Sequence, residues 1–243
     1  MSWTIKPLNL GVLRNRPKDS ITNGKGKGEL IDLPCISWLL RNENKVILVD
    51  AGPSTSEHAL TYHKVELEKT VDHDLVGLLR EEGLSPLDIK IVVLTHLHWD
   101  HSYGLAELPN SKIYVQDREL RYGVYPSEPD YRVYEFKKES HFAPHINRML
   151  LISGDYGITD GITLITTPGH SPGHQCVLVE GKNQNFLIGG DFIDLYENWE
   201  ERIPSGPTVH FEEWEKSYEK VLKLNAQILP GHDMQVFENR VYS

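Results

Sequence analysis

Cysteine is scarce in this chain: Cys35 and Cys176 are the only two in 243 residues. They are too few and too far apart for a disulfide framework, and both read as buried thiols of a reducing compartment. Long apolar runs are missing as well, since nothing approaches the roughly 20 residues that cross a bilayer. Met1 to Lys6 has no charged stretch leading into an apolar block, so no secretory leader is read there. The protein is expected to be soluble and cytoplasmic, with no membrane partner. Positive charge is in deficit: 25 Lys and Arg stand against 35 Asp and Glu, a net charge of −10. That balance speaks against nucleic acid as a partner and favours a small-molecule substrate. No linker, low-complexity tract or tandem repeat interrupts the chain. Its length suits a single domain of residues 1–243 with a core large enough for two packed sheets.

What is present is punctuated by turns. Thr4 to Leu13 alternates loosely as a first strand, and Asn23 to Gly28 is a basic loop whose lysines are expected to be solvated. Ile31 to Leu40 and Val46 to Val49 make a hairpin around Arg41-Asn42-Glu43-Asn44, and Asp50-Ala51-Gly52-Pro53 stops the second strand. Val71 to Arg80 has helical spacing, with Gly83 past its end. Lys112 to Val115 is a strand and Asp117 to Tyr122 a short helix. Residues 121–145, aromatic and without a period, are expected to cover the site. In the second half Gly161 to Thr166, Gln175 to Glu180, Asn185 to Ile188 and Ile228-Leu229 are strands. A helix from Glu212 to Leu224 buries Trp214, Tyr218, Val221 and Leu222. Hairpins followed by a helix, twice over, suit two facing sheets with helices outside.

The chemistry gathers at Thr95-His96-Leu97-His98-Trp99-Asp100-His101, directly after the apolar run Ile89 to Leu94. In a stretched loop, residues two apart point the same way, so His96 and His98 can grip one ion while Asp100 and His101 turn towards a second. Three further candidates each follow a strand: His170 after Thr167-Pro168-Gly169, Asp191 after Gly189-Gly190, and His232 after Pro230-Gly231. The natural partition puts His96, His98 and His170 around one ion and Asp100, His101 and His232 around another, with Asp191 bridging. Asp50 could orient a ligand histidine or tie the metal loops together. The remaining imidazoles, His58, His63, His73, His141, His145, His174 and His210, read as solvated or hydrogen-bonded, with His174 structural or behind the ligands.

His96-Leu97-His98-Trp99-Asp100-His101, the Asp50-Ala51-Gly52 turn, His170, Asp191 and His232, in that order, resemble the metallo-β-lactamase superfamily over nearly the whole chain. The resemblance implies an α/β fold (α+β in some schemes), a four-layer αββα sandwich with a dinuclear site between the sheets. Thr167 to Gln175, Glu197-Asn198-Trp199-Glu200 and Gly231-His232-Asp233 further resemble the N-acyl homoserine lactonases within it. Trp99 falls where those lactonases have an aromatic beside the substrate. They are similar in having a tyrosine three residues after the bridging Asp, and here that position is Asp194, with Tyr196 the nearest phenol.

Two divalent ions sharing one water bring its pKa to roughly 7 or below, which makes a bridging hydroxide the nucleophile at neutral pH. Asp100 is placed to carry the proton to the leaving alkoxide, so Asp100 and Asp191 are the candidate catalytic carboxylates. Trp99, Trp199 and the aromatic segment could line an acyl groove. Imidazole and carboxylate ligands suit zinc first, with iron, manganese or cobalt as alternatives. The expected activity is opening of an N-acyl homoserine lactone or a related lactone. A thioesterase of the glyoxalase II kind or another carboxylic-ester hydrolase would use nearly the same ligands. A persulfide dioxygenase would need one redox iron and an empty second site, against which Asp100, His101 and His232 argue.

Overall fold

The computed structural model describes residues 2–206, 208 and 210–243. Alternation along two adjacent strands decides how its first sheet faces. In β2 (Leu30–Arg41) and β3 (Val46–Val49), Ile36, Trp38, Leu40, Ile47 and Val49 point into one core, whereas Leu39 and Leu48 point into another on the opposite face. The turn between them is set by Asn42, whose Oδ1 accepts from the backbone N–H of Asn44 and Lys45 at 2.9 and 2.8 Å.

Around this hairpin the chain adds β1 (Thr4–Pro17), β4 (Leu67–Glu68), β5 (Ile91–Val93), β6 (Lys112–Gln116) and β7 (Met149–Ile152), in the spatial order β4-β1-β2-β3-β5-β6-β7. A second sheet runs β12-β11-β10-β9-β8, from β8 (Tyr156–Thr159), β9 (Ile162–Thr166), β10 (Gln175–Glu180), β11 (Asn185–Ile188) and β12 (Gln227–Leu229). Val177 and Val179 of β10 meet Trp38 and Val49 between the sheets, and Cys176 faces outward. Both cysteines are free and buried, as expected.

The helices are α1 (Ser56–His58), α2 (Leu75–Glu81), α3 (Trp99–Ser102), α4 (Asp117–Val124), α5 (Tyr196–Glu200) and α6 (Phe211–Leu222). Leu75 and Leu79 of α2 cover the outer face of the first sheet. Trp214, Tyr218 and Val221 of α6 cover the second. The layers are therefore α, β, β, α, and the core between the sheets is the largest apolar contact surface of the sandwich.

Several local expectations are corrected. The helix expected over Val71 to Arg80 is broken at Asp74, whose carboxylate accepts from Gly77 N–H at 2.8 Å and starts α2 anew. Val71 is left 87% exposed. The last helix ends at Leu222, which is exposed because it lies off the apolar stripe. Lys25 is ion-paired with Glu197 at 2.7 Å and with Glu201, and so is not simply solvated.

Leu48 is 0% exposed in the core between the first sheet and α2, so Leu48→Ala should cost about 2–5 kcal/mol through lost burial and a cavity. Val71→Ala should stay within about 0.5 kcal/mol. Denaturant unfolding of the two variants reads the difference, and equal losses would contradict this layering.

Candidate metal centre

Strand direction brings the candidate ligands to one edge. β11 runs parallel to β12 with Ile188 opposite Leu229, and Asp191 and His232 each lie three residues past that pair. β9 and β11 both run antiparallel to β10, so His170 leaves β9 at the same edge. The cradle leaves β5 opposite them, and the sheets are stitched there by Gln175, whose N–H donates to the Thr95 carbonyl at 2.9 Å and whose Nε2 donates to the Leu94 carbonyl at 2.7 Å.

Asp191 sits at the middle of the cluster. Its Oδ1 lies 2.8 Å from His101 Nε2 and 3.1 Å from His232 Nε2, while its Oδ2 lies 3.4 Å from His170 Nε2 and 3.7 Å from His96 Nε2. His98 Nδ1 is 3.1 Å from His170 Nε2. Potential ligand atoms of His96, His98, His170 and Asp191 form one group, and those of Asp100, His101 and His232 another, each within 4.8 Å.

The hydrogen bonds behind the rings fix which nitrogens are bare. His232 Nδ1 lies 2.8 Å from the Pro34 carbonyl oxygen, so Nδ1 carries the proton and Nε2 presents its lone pair. His101 Nδ1 donates to Asp50 Oδ2 at 2.9 Å with the same result. Thr95 Oγ1 donates to Asp50 at 2.9 Å and accepts from His96 Nδ1 at 3.0 Å, leaving His96 Nε2 buried with no hydrogen-bond partner. Lone pairs thus converge on a carboxylate, an arrangement that only cations satisfy. Asp50 itself is held at a φ of 59°, in the left-handed region, by the contacts it makes to Thr95 and His101.

Burial pulls the His96 and His98 rings well below their usual pKa, with neighbouring imidazoles adding to it. Burial acts the same way on His101, but the charges of Asp191, Asp50 and Asp100 outweigh it and hold that ring well above its usual range. His232 is raised to about 9, Asp191 overcoming burial. Those two imidazoles therefore hold a proton more tightly than a free imidazole does, and a cation binding there would compete with it.

Glu119, outside the expected set, and His174, expected to be structural, support the loops. Glu119 of α4 is fully buried, and its Oε1 accepts from Leu97 N–H at 2.9 Å and Tyr134 Oη at 2.8 Å. Its Oε2 accepts from Ser171 Oγ at 2.7 Å and Gly173 N–H at 3.0 Å, so one carboxylate ties the cradle to the His170 loop. A Cβ on Gly173 would lie 2.2 Å from the Glu119 nitrogen, which explains the glycine. His174 has both ring nitrogens engaged, Nδ1 with Thr167 Oγ1 at 3.0 Å and Nε2 with the Phe192 N–H at 3.3 Å, so it holds the loop and offers no lone pair to an ion.

A cavity of about 380 Å³ opens onto the cluster. His98, Trp99, Asp100, His170, Asp191, Asp194 and His232 line its floor, and Leu13, Ile21, Leu33, Val65 and Val133 its walls. Residues 121–145 contribute Pro129, Asp130, Arg132 and Val133 to the wall, while Tyr134 and Phe142 of the same segment pack in the core. Asp194 is buried, with Oδ1 lacking a partner. Tyr196 does not line the cavity: it opens α5, and its ring packs on the inter-sheet core. Trp199 likewise turns away, onto Tyr218 with ring centroids 4.6 Å apart.

A model of the metallo-β-lactamase superfamily matches residues 30–232. The chain is similar to an N-acyl homoserine lactonase of Bacillus thuringiensis, 32% identical over 228 residues that cover 89% of this chain and 88% of the relative. It is similar to the N-acyl homoserine lactonase AttM of Rhizobium radiobacter, 30% identical over 179 residues, with 69% and 67% covered. Among solved structures, an N-acyl homoserine lactone hydrolase with the product N-hexanoyl-L-homoserine at its catalytic metal centre aligns with a TM-score of 0.83 at 26% identity, covering 98% of this chain and 96% of that one.

Two outcomes follow from the centre's wiring. Glu119→Ala should weaken metal binding about 10–100-fold, read by competition with a chelator. Loading the metal-free protein at pH 7 should expel protons, His232 among the sources, and apparent affinity should rise with pH up to about 9 and level off above it. Calorimetric titration in buffers of different ionisation heat reads the protons released, and none released would contradict the assignment.

Proposed function

This chain belongs to the metallo-β-lactamase superfamily, and from that premise we propose that it is a two-metal lactonase that opens an N-acyl homoserine lactone, or a related lactone, to the hydroxy acid. The observation that carries the reading is the split of the Asp191 carboxylate between two sets of bare imidazole nitrogens beside a cavity. His96, His98 and His170 would hold one ion and Asp100, His101 and His232 another, with the Asp191 carboxylate between the two sets. Zinc is the proposed metal, because neutral imidazole and carboxylate donors suit it; iron, manganese and cobalt share that donor preference. The ions, when bound, supply Lewis acidity and a nucleophilic water at neutral pH.

The chain's own residues do the rest. Asp191, placed between both sets of imidazoles, would offset part of the positive charge that two cations bring. Asp50 and Thr95 hold His101 and His96 in the tautomers that leave Nε2 free. Asp100, lining the cavity floor, accepts a proton and returns it to the alkoxide released when the ring opens. Trp99 offers a flat apolar wall, and Val65 and Val133 continue it for an acyl chain. Asp194 occupies the place that the resemblance gives to a phenol, and we assign substrate contact there to Asp194 and not to Tyr196. Opening such a lactone is a quorum-quenching activity. Among the described residues no helix is long and apolar enough to cross a membrane. The two free thiols accord with action in the cytoplasm.

The test is a hydrolysis panel of lactones, linear esters, thioesters and phosphodiesters with metal content measured on the same sample. N-acyl homoserine lactones should be cleaved best, Asp100→Asn should lower kcat by about 10²–10⁴-fold, and Asp194→Ala should change KM more than Tyr196→Phe does. Preference for thioesters or linear esters over every lactone would sink the lactonase reading, and one iron with oxygen consumption on a persulfide would move the protein out of the hydrolases.

A further inference from the structure

A second set of imidazoles lies next to α3, and one of them, His63, reaches the wall of the same cavity. Glu135 is 1% exposed and sits at a φ of 54°, and His58, His63 and His141 all turn towards its carboxylate. His63 Nε2 is 2.9 Å from Oε1, His58 Nε2 contacts the same oxygen, and His141 Nδ1 is 3.5 Å from Oε2. Among the described residues no Lys or Arg pairs with Glu135, so a buried anion is faced by imidazoles alone.

The tautomer of His141 is fixed as that of His96 is. Ser102 Oγ donates to the His98 carbonyl at 2.9 Å, so it accepts from His141 Nε2 at 2.7 Å. His141 Nδ1 is then bare and buried without a hydrogen-bond partner, and it aims its lone pair at a carboxylate oxygen. Burial also holds His63 below its usual pKa despite Glu135, which keeps that ring neutral and able to ligate. Acceptor facing acceptor in a buried site calls for a proton or a metal ion between them, and three imidazoles around one carboxylate offer a metal its ligands.

We propose that His58, His63 and Glu135 form a third divalent-metal site, of the kind that takes zinc, with His141 beside the second Glu135 oxygen as the nearest further imidazole. The ligand atoms of His58, His63 and Glu135 lie within 4.8 Å of one another, and bonds of about 2.0–2.2 Å put tetrahedral ligand atoms about 3.3–3.5 Å apart, so an ion is taken up by moving the two rings back from the carboxylate. The site joins two irregular segments, the turn after α1 and the cover over the cavity. It also braces the cradle: Trp99 stacks on His63 with centroids 4.1 Å apart, and Tyr103 lies 5.3 Å from His58 and 5.5 Å from His141. This inference does not rest on the lactonase reading.

Full-length protein is stripped with a chelator, reloaded with zinc, desalted and assayed for bound metal beside Glu135→Gln and His58→Ala. Each variant should hold one equivalent less than the parent chain. Equal counts in all three would overturn the proposal. Because a difference is read, a parent holding two ions and variants holding one would count against the two-ion reading of the catalytic centre and leave this site standing. If neither variant folds, cobalt(II) titration of the parent followed by visible absorption decides: a third tetrahedral increment supports the site, and saturation at two or fewer overturns it.

Discussion

The molecule is organised by one carboxylate shared between two sets of imidazoles. Asp191 gives one oxygen to His101 and His232 and the other to His96 and His170, at separations between 2.8 and 3.7 Å. That sharing is possible only if residues from two sheets arrive within a few ångströms of each other, so it constrains the whole sandwich. The parallel pairing of β11 with β12 puts Asp191 and His232 in step. Gln175, bonded through both its backbone and its side chain to the end of β5, holds the second sheet against the cradle.

So many buried polar groups are tolerable because nearly all of them are paired behind the centre. Asp50 accepts from Thr95 and His101, and Glu119 accepts four donors from three segments. In a low-dielectric interior such a network is rigid when complete and costly when broken. Among the atoms left without a partner, His96 Nε2 faces Asp191, while His170 Nδ1 belongs to a ring whose Nε2 already does. Position of the ligands and completeness of the surrounding hydrogen bonds are therefore one requirement, because the same bond that satisfies Nδ1 exposes Nε2.

The layered fold was legible because its signals are local: period-two alternation in β2, β3 and β10, helical spacing over Trp214 to Val221, and turn residues at strand ends. The centre was legible because four of its side chains sit within six consecutive residues and the others recur after strands. What escaped was long-range or counter to local pattern. Asp74 interrupts an apparently continuous helix, a capping choice hidden inside apolar spacing. Glu119 looks like the solvent face of a short helix, and only the packed loops reveal four donors. His58, His63 and His141 lie in polar sequence and read as solvated or hydrogen-bonded, but that one carboxylate, Glu135, gathers them across as many as 77 positions was not readable. Burial is a tertiary property, and neither composition nor spacing encodes it for an isolated imidazole.

Chemistry and selectivity are carried by different kinds of backbone here. The metal-facing residues follow strand ends, where the ladder of hydrogen bonds fixes their origin to within a fraction of an ångström. The cavity walls come from β1 and β2, from the turn after α1 and from Pro129 to Val133, mostly irregular segments that can change without disturbing the sheets. Asp194 stands where the two meet, three residues past Asp191 and on the cavity floor. A carboxyl there is shorter than a phenol, so a polar group has to come closer to the cavity floor to meet it.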